Sequence, residues 1–263
     1  MELPDYVQAV SFRLVQPDVP GSAAVRLALS LLSRTGLPLD ALNTRLPGEN
    51  GRMRRRLRDA KRACPRGPFA TGAIINRVAA QLAEGEAFLA LGVGDGFSLL
   101  AALSGNPNTL CIAIDDPAAP RCEPFERRFP SLRSAGHTLQ YVHYRDYFRD
   151  YFTGPRKNPI GFCVVRAIGS DDLLSRLVAC EPHLAENAVV LVENCNRAEM
   201  RKAGLHFIRS SRNQYRVLLD RCTSHHGALT FGDGLLLFQL LGRNAAVSRD
   251  AQRLPVPALT PAA

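Results

Sequence analysis

From residue 69 to 241 the chain alternates between two kinds of apolar pattern. Unbroken apolar runs at about 87–92, Thr109–Ile114, Gly161–Val165 and Ala188–Val192 have the length and composition of buried strands. Between them apolar residues recur at helical spacing. Ile74, Ile75, Val78, Ala79 and Leu82 form one helical face, with Gly85 as a stop. A helix beginning after residue 96 ends near Gly105, with Pro107 just beyond. Phe125 and Phe129 mark a short helix, and Leu139–Tyr144 reads as a further strand. Ser170 can cap a helix whose apolar face is Leu173, Leu174, Leu177 and Val178. A last helix crosses 197–209. Tyr215–Leu219 and Leu235–Leu240 then flank a loop and read as an antiparallel pair. Strands alternating with helices predict an α/β domain, a parallel sheet covered on both faces, with an antiparallel strand closing it.

The ends differ from this middle. Residues 1–68 read as a helical N-terminal extension. It contains a helix at Ser22–Leu32 and loops at Gly36-Leu37-Pro38 and Pro47–Gly51. Met53, Leu57, Ala60 and Cys64 repeat at helical spacing, which predicts an amphipathic helix ended by Pro65 and Pro68. Residues 242–263 carry three prolines and little apolar pattern, so a disordered tail is expected. The division is 1–68, 69–241 and 242–263.

Composition narrows the class. A chain of 263 residues with 46% hydrophobic content can bury a full core. No apolar stretch reaches the roughly 18 residues that span a bilayer. The first twenty residues carry Glu2 and Asp5 and lack a basic start with an apolar middle, so no secretory signal is expected. Seven cysteines are scattered without a C-x-x-C pair, which favours a reducing cytoplasm over a disulfide framework or a zinc site. The formal charge is +9, yet residues 52–62 hold Arg52, Arg54, Arg55, Arg56, Arg58, Lys61 and Arg62 against Asp59 alone. The rest of the chain is only mildly basic. This segment has three readings: a solvated helix face, a contact for nucleic acid or anionic lipid, or a lid over a site for an anionic substrate. No aromatic residues interleave it, so base stacking is not supported.

The most specific signal is Gly92-Val93-Gly94-Asp95-Gly96, between an apolar strand and an apolar helix. Glycines at such a turn permit positive φ angles and let a ligand approach bare backbone. The spacing is G-x-G-x-G. A dinucleotide fingerprint would be G-x-G-x-x-G, and Phe97 occupies the place of its third glycine. The stretches GVGDGFSLLAALSGNP, CIAIDD, YRDYF, GPRKNPIGF, EPHLAENAVVLVEN and YRVLLDR resemble the class I S-adenosylmethionine-dependent methyltransferases. The likeness covers roughly residues 70–240 and is nearest to a group of small bacterial O-methyltransferases. It implies a Rossmann-like sheet with a closing antiparallel strand, and S-adenosylmethionine as cofactor. Asp115 would then take the cofactor's ribose hydroxyls, with Asp116 as its neighbouring alternative.

Ligands of open parallel sheets bind outside the carboxyl ends of the strands. That rule nominates the glycine loop, Asp115-Asp116, Tyr144–Asp146, Arg166–Asp172, Glu193–Asn196 and the 221–233 loop. In the resembled metal-dependent enzymes an acid-amide pair like Glu193-Asn194 binds Mg²⁺ together with an aspartate after the fourth strand. This chain has Arg166 there, and Ala90 where an acid often precedes the first glycine. Arg166 is expected to pair with Glu193 through two bonds and replace the cation, so no metal is expected. Asp171 and Asp172 read either as displaced ligands or as acids at a helix start. His225 and His226 are the first candidates for a general base, and His143 lies late in the third strand. The sequence thus points to O-methylation of a small molecule. The alternatives are a binding protein that kept the fold without the chemistry, and a nucleic-acid-associated protein acting through residues 52–62.

Overall fold

The computed structural model describes residues 1–19, 38–48, 50–118, 127, 137–151, 158–225 and 227–243. The helices expected at Ser22–Leu32 and around Phe125 and Phe129, His226, and nearly all of 242–263 lie outside the described residues. In chain order, α1 (Leu3–Ala9), β1 (Ser11–Phe12), α2 (Leu39–Asn43), β2 (Thr44–Arg45), α3 (Asn50–Arg56), α4 (Arg58–Ala63) and α5 (Phe69–Ala79) lead into the sheet. Then come β3 (Ala87–Leu91), α6 (Phe97–Leu103), β4 (Leu110–Asp115), β5 (His137–Tyr141), α7 (Tyr144–Tyr151), β6 (Ile160–Val165) and α8 (Ser170–Cys180). β7 (Leu184–Glu193), α9 (Ala198–Ser210), β8 (Gln214–Arg221) and β9 (Leu235–Gly242) complete it.

β3 to β9 form one seven-stranded sheet in the order β5-β4-β3-β6-β7-β9-β8. β3 through β7 pair in parallel, and β9 runs antiparallel to both β7 and β8. The expected doubly covered sheet with its closing antiparallel strand is therefore found. The chain builds outward from β3 to β5, then returns to β6 on the other side of β3. The crevice above β3 and β6 is thus the topological switch point, where such sheets bind ligands.

Every residue of β3 and β6 is buried, because both faces of the sheet are covered. Phe88, Ala90, Phe162, Val164 and Leu191 share one core with Tyr6, Met53, Leu57, Phe69 and Ile74. Leu89, Leu91, Cys163, Val165 and Val192 share the other with Phe148, Leu173, Leu177, Met200 and Phe207. Alternate strand residues feed opposite cores, as the pleat requires. The rings of Phe88 and Phe162 lie 5.2 Å apart on neighbouring strands. Truncating either to alanine would cost about 3–5 kcal/mol. The first 64 residues are an integral cover for one face of the sheet, since their apolar side chains lie in its core.

Three elements differ from the sequence pattern. The arginine-rich helix is two helices broken at Leu57, which has φ −82° and ψ 1°. The break keeps Met53, Leu57, Ala60 and Cys64 all buried. The third sheet strand runs from His137 to Tyr141, and Tyr144 already opens α7. β5 is an edge strand with only His137 fully buried, so its apolar signal is weak. At α8 the capping position is Gly169, without a side-chain cap, and Ser170 is the first helical residue. Among the described residues no helix is long and apolar enough to cross a membrane.

Candidate functional site

β3 ends into the glycine turn at the switch point. Gly92, Gly94 and Gly96 have φ of 88°, 58° and 82°, left-handed values that favour glycine. Space imposes the same choice. A Cβ on Gly92 would strike the carbonyl oxygen of Arg166, and one on Gly94 would strike the Arg166 guanidinium. Phe97 opens α6, and its buried ring lies against Gly67 and Gly72, where no side chain would fit. This contact docks the segment before α5 beside the turn.

The turn is held from the next strand. The Val93 N–H donates to Asp115 Oδ2 at 3.1 Å, and the Asp116 N–H donates to Asp115 Oδ1 at 3.0 Å. Asp116 Oδ1 in turn accepts from Ala118 N–H at 2.8 Å. A carboxylate has about four acceptor positions, so Asp115 retains capacity for further donors.

Two cavities meet above the crevice. The smaller, about 430 Å³, is lined by Gly92, Gly94, Asp115, Asp116, Ala118, Arg166 and Asn194 among others. The larger, about 740 Å³, is lined by Gly94, Asp95, Ser98, Arg166, Glu193, Asn194, Phe231 and Asp233, with Arg66–Pro68 at its edge. Gly94, Arg166 and Asn194 border both, so the Arg166 side chain stands between the two lobes.

Arg166 follows β6, and its N–H donates to Leu91 O at 2.9 Å, which fixes its backbone. Its Nε lies 3.7 Å from Glu193 Oε2 and its Nη1 3.6 Å from Asp95 Oδ1. Arg166 therefore does stand beside Glu193. The contact is an ion pair at longer than hydrogen-bond distance, where two bonds were expected. Glu193 ends β7, with a side chain only 14% exposed. Ser98 Oγ donates a short hydrogen bond to its Oε1. Burial pushes the Glu193 carboxyl above its ordinary value. Arg166 and the Ser98 hydroxyl act against that rise, and Asp95 and Asp233 add to it.

The far wall comes from the loop between β8 and β9. Asn196 ties it down: its Nδ2 donates to Thr223 O at 2.8 Å and its Oδ1 accepts from Thr223 N–H at 2.5 Å. The Asn196 N–H donates to Asp233 O at 2.7 Å. Gly232 and Gly234 take φ of 70° and 75° around Asp233. A second Gly-Asp-Gly turn thus lines the larger lobe together with the first, each contributing an aspartate. Sequence reasoning named neither Asp233 nor Ser98. The repeated Gly-Asp-Gly was a readable signal for Asp233, whereas Ser98 lies 95 residues from its partner and had none.

The other candidates are placed as follows. His225 is exposed, its N–H donates to Pro17 O at 3.1 Å, and it does not line either lobe. His143 lies at a separate narrow cleft beside Asp115 and Tyr144. Asp146 pairs with Arg149 at 2.9 Å. Asp172 accepts from Arg176 Nε at 2.9 Å and from Ile168 N–H at 3.1 Å, while Asp171 is exposed at the start of α8. Ala90 is buried in the core. Among the described residues no three His, Cys, Asp or Glu side chains are arranged to hold a metal ion. The donor set at Glu193-Asn194 fits a divalent cation poorly, because a guanidinium already stands 3.7 Å from the carboxylate. A nucleoside cofactor fits better: the glycine turn is bare backbone under a cavity, and Asp115 keeps free acceptor positions beside it.

No protein-family model matches the chain. No curated protein matches it in sequence. Solved structures do. The O-methyltransferase TomG from Streptomyces achromogenes, involved in tomaymycin synthesis and solved with SAM, is 16% identical, with 71% of this chain and 89% of that one covered at a TM-score of 0.52. A proposed O-methyltransferase from Klebsiella pneumoniae is 14% identical, with 83% and 96% covered at 0.51. The chain spans 47% of a proposed SAM-dependent methyltransferase from Streptococcus mutans, at 0.46, which adds nothing to the assignment. Together with the strand order, the first two show that the fold is that of the class I S-adenosylmethionine-dependent methyltransferases.

Proposed function

We propose that this chain is an S-adenosylmethionine-dependent methyltransferase acting on an oxygen of a small molecule, without a divalent metal. The observation that carries the reading is the left-handed glycine turn at the switch point, tied to Asp115 and open to two joined cavities. The structural neighbours named as O-methyltransferases, one of them solved with SAM, support the choice of cofactor and of oxygen. The scattered thiols support a reducing compartment such as the cytoplasm; the described cysteines are all free.

In this reading Gly92, Val93, Gly94, Asp95 and Gly96 give the cofactor a backbone surface, and Asp115 accepts from its ribose hydroxyls, with Asp116 beside it. The cofactor supplies an electrophilic methyl carbon on a sulfonium. The chain's own work is then positioning and proton removal. Glu193 is the group suited to take the acceptor's hydroxyl proton. It lines the larger lobe, and its raised carboxyl makes it a stronger base than an exposed glutamate. Ser98 orients one of its oxygens. Arg166 supplies a fixed positive charge where related metal-dependent enzymes use a cation. His225 would reach the lobe only if its loop moved, so it ranks behind Glu193.

Calorimetric titration of the whole chain with S-adenosylmethionine and S-adenosylhomocysteine tests the cofactor. Binding is expected, unchanged by EDTA or added Mg²⁺. Loss of binding or turnover with EDTA, restored by metal, would defeat metal independence. One observation favours a second reading, a binding protein without transfer: the Arg166 guanidinium lies against Gly94, on the surface a cofactor would approach. Cofactor binding with no labelled-methyl transfer to any hydroxyl acceptor would select it.

A further inference from the structure

Resting on the cofactor reading above, we infer that Arg166 is a carboxylate clamp that binds the amino-acid end of the cofactor and selects for its carboxylate. Three observations converge on its guanidinium. It makes no hydrogen bond in the described structure. Its ion pairs to Asp95 and Glu193, at 3.6 and 3.7 Å, leave the planar fork of donors uncommitted. It is one-third exposed, at the junction of the two lobes. It also rests on Gly94, the glycine whose missing side chain makes room for it.

The path of the cofactor follows from the lobes. Asp115 and Asp116 line only the smaller one, so the nucleoside belongs there. Glu193, the proton acceptor, lines only the larger one. A molecule whose nucleoside is in the first and whose methyl group faces the second must cross Gly94, Arg166 and Asn194. Its amino-acid end therefore passes the open fork. A guanidinium matches a carboxylate with two parallel hydrogen bonds, which a lysine cannot reproduce. Glu193 holds the Nε side, while Asp95 at 3.6 Å is the weaker anion that an incoming carboxylate would replace at Nη1. The fixed backbone of Arg166, bonded to Leu91 O, keeps the fork at this junction.

The test compares two probes on the whole chain: S-adenosylhomocysteine, and its decarboxylated analogue, which keeps the amine and lacks the carboxylate. The wild type should prefer the first by roughly ten- to hundredfold, the range of a charge-assisted pair. Arg166→Gln should remove that preference while binding the analogue as the wild type does, and Arg166→Lys should restore part of it. A wild type that binds both probes equally overturns the clamp and leaves the cofactor reading standing. Equal losses for both probes in a folded Arg166→Gln also overturn it, since the residue would then act on the site's shape. If the wild type binds neither probe, the cofactor reading fails and the clamp falls with it.

Discussion

Two sets of guanidinium groups in this molecule have opposite surroundings. The segment 52–62 holds most of the net charge, yet its inward cations are committed to the fold. Arg54 Nη2 donates to Ala41 O at 2.6 Å, and Arg56 Nη1 donates to Asn76 Oδ1 at 3.3 Å. Lys61 Nζ donates to Asp40 Oδ2 at 2.5 Å and to Gly67 O at 2.6 Å. These groups brace the loop before α5 and the cover over the sheet. Arg52, Arg55, Arg58 and Arg62 remain exposed on the outer side. Arg166 is a single residue, and its fork is uncommitted beside the bare backbone of Gly94. Charge density along a sequence thus says less about function than the state of the individual donors. A cation that satisfies carbonyls is part of the scaffold, whereas one with open donors at a crevice is available to a ligand.

The contrast can be broken most sharply at the glycine under Arg166. Gly94→Val should abolish S-adenosylhomocysteine binding in calorimetry and keep the circular dichroism of the wild type. A β-branched residue is strained at φ 58°, and its side chain would drive the guanidinium off the turn. Binding at wild-type strength would make the turn purely structural. The largest effect on the scaffold side is expected at Asp40, which is buried and accepts from Lys61, from Phe69 N–H at 3.0 Å and from Ala41 N–H at 2.9 Å. Asp40→Ala should cost about 3 kcal/mol. That is a fall in Tm of roughly 6–12 °C for a domain of this size. An unchanged melting curve would mean that the basic segment does not brace the fold.

Smaller effects sharpen the comparison. Asp115→Ala should weaken cofactor binding about tenfold, by loss of charge-assisted bonds, and Asp116→Ala should do less. The reverse order, read by the same titration, would move the ribose contact to Asp116. Glu193→Gln should stabilise the protein at neutral pH. The folded state raises this carboxyl, so its contribution is fully present below the ordinary glutamate value of 4.5 and is lost as pH rises through the raised one. The stability gap between variant and wild type should therefore open above that range and close below it, followed by Tm against pH. The smallest effect belongs to the outer arginines. Replacing Arg52, Arg55, Arg58 and Arg62 by glutamine should change stability by less than about 0.5 kcal/mol per site. Retention of the wild type on heparin or anionic vesicles should be weak and vanish toward physiological salt. Strong, salt-resistant retention would give this segment a ligand of its own.

What could be read from the sequence was local. β3, β6 and the inner part of β7 are unbroken apolar runs because both of their faces are covered. The glycine turn announced itself because three left-handed positions leave few residue choices. Asp115 was legible from its distance to that turn. The rest depended on contacts between distant residues. Ser98 and Glu193 meet across 95 positions, and nothing near either one signals the other. The break at Leu57 is set by the curved core it covers, which periodicity at Met53, Leu57, Ala60 and Cys64 cannot express. β5 was misplaced because an edge strand with polar positions leaves a faint pattern. His225 and His226 attracted attention through their place in a loop, but the loop's path is governed by Asn196, which carries His225 away from the lobes.

The strand order also sets a timetable for assembly. β9 lies between β7 and β8, so β8 has no neighbour in the sheet until the chain has been made past residue 235. Domains form as units while the chain emerges from its N-terminal end. Here the unit stays open, with the edge of β7 unpaired, until its final strand slots in. Asp233 and Gly234 immediately precede that strand and wall the larger lobe. The pocket is consequently the last part of the molecule to exist during synthesis. A nascent chain cannot engage its ligand before the sheet is complete.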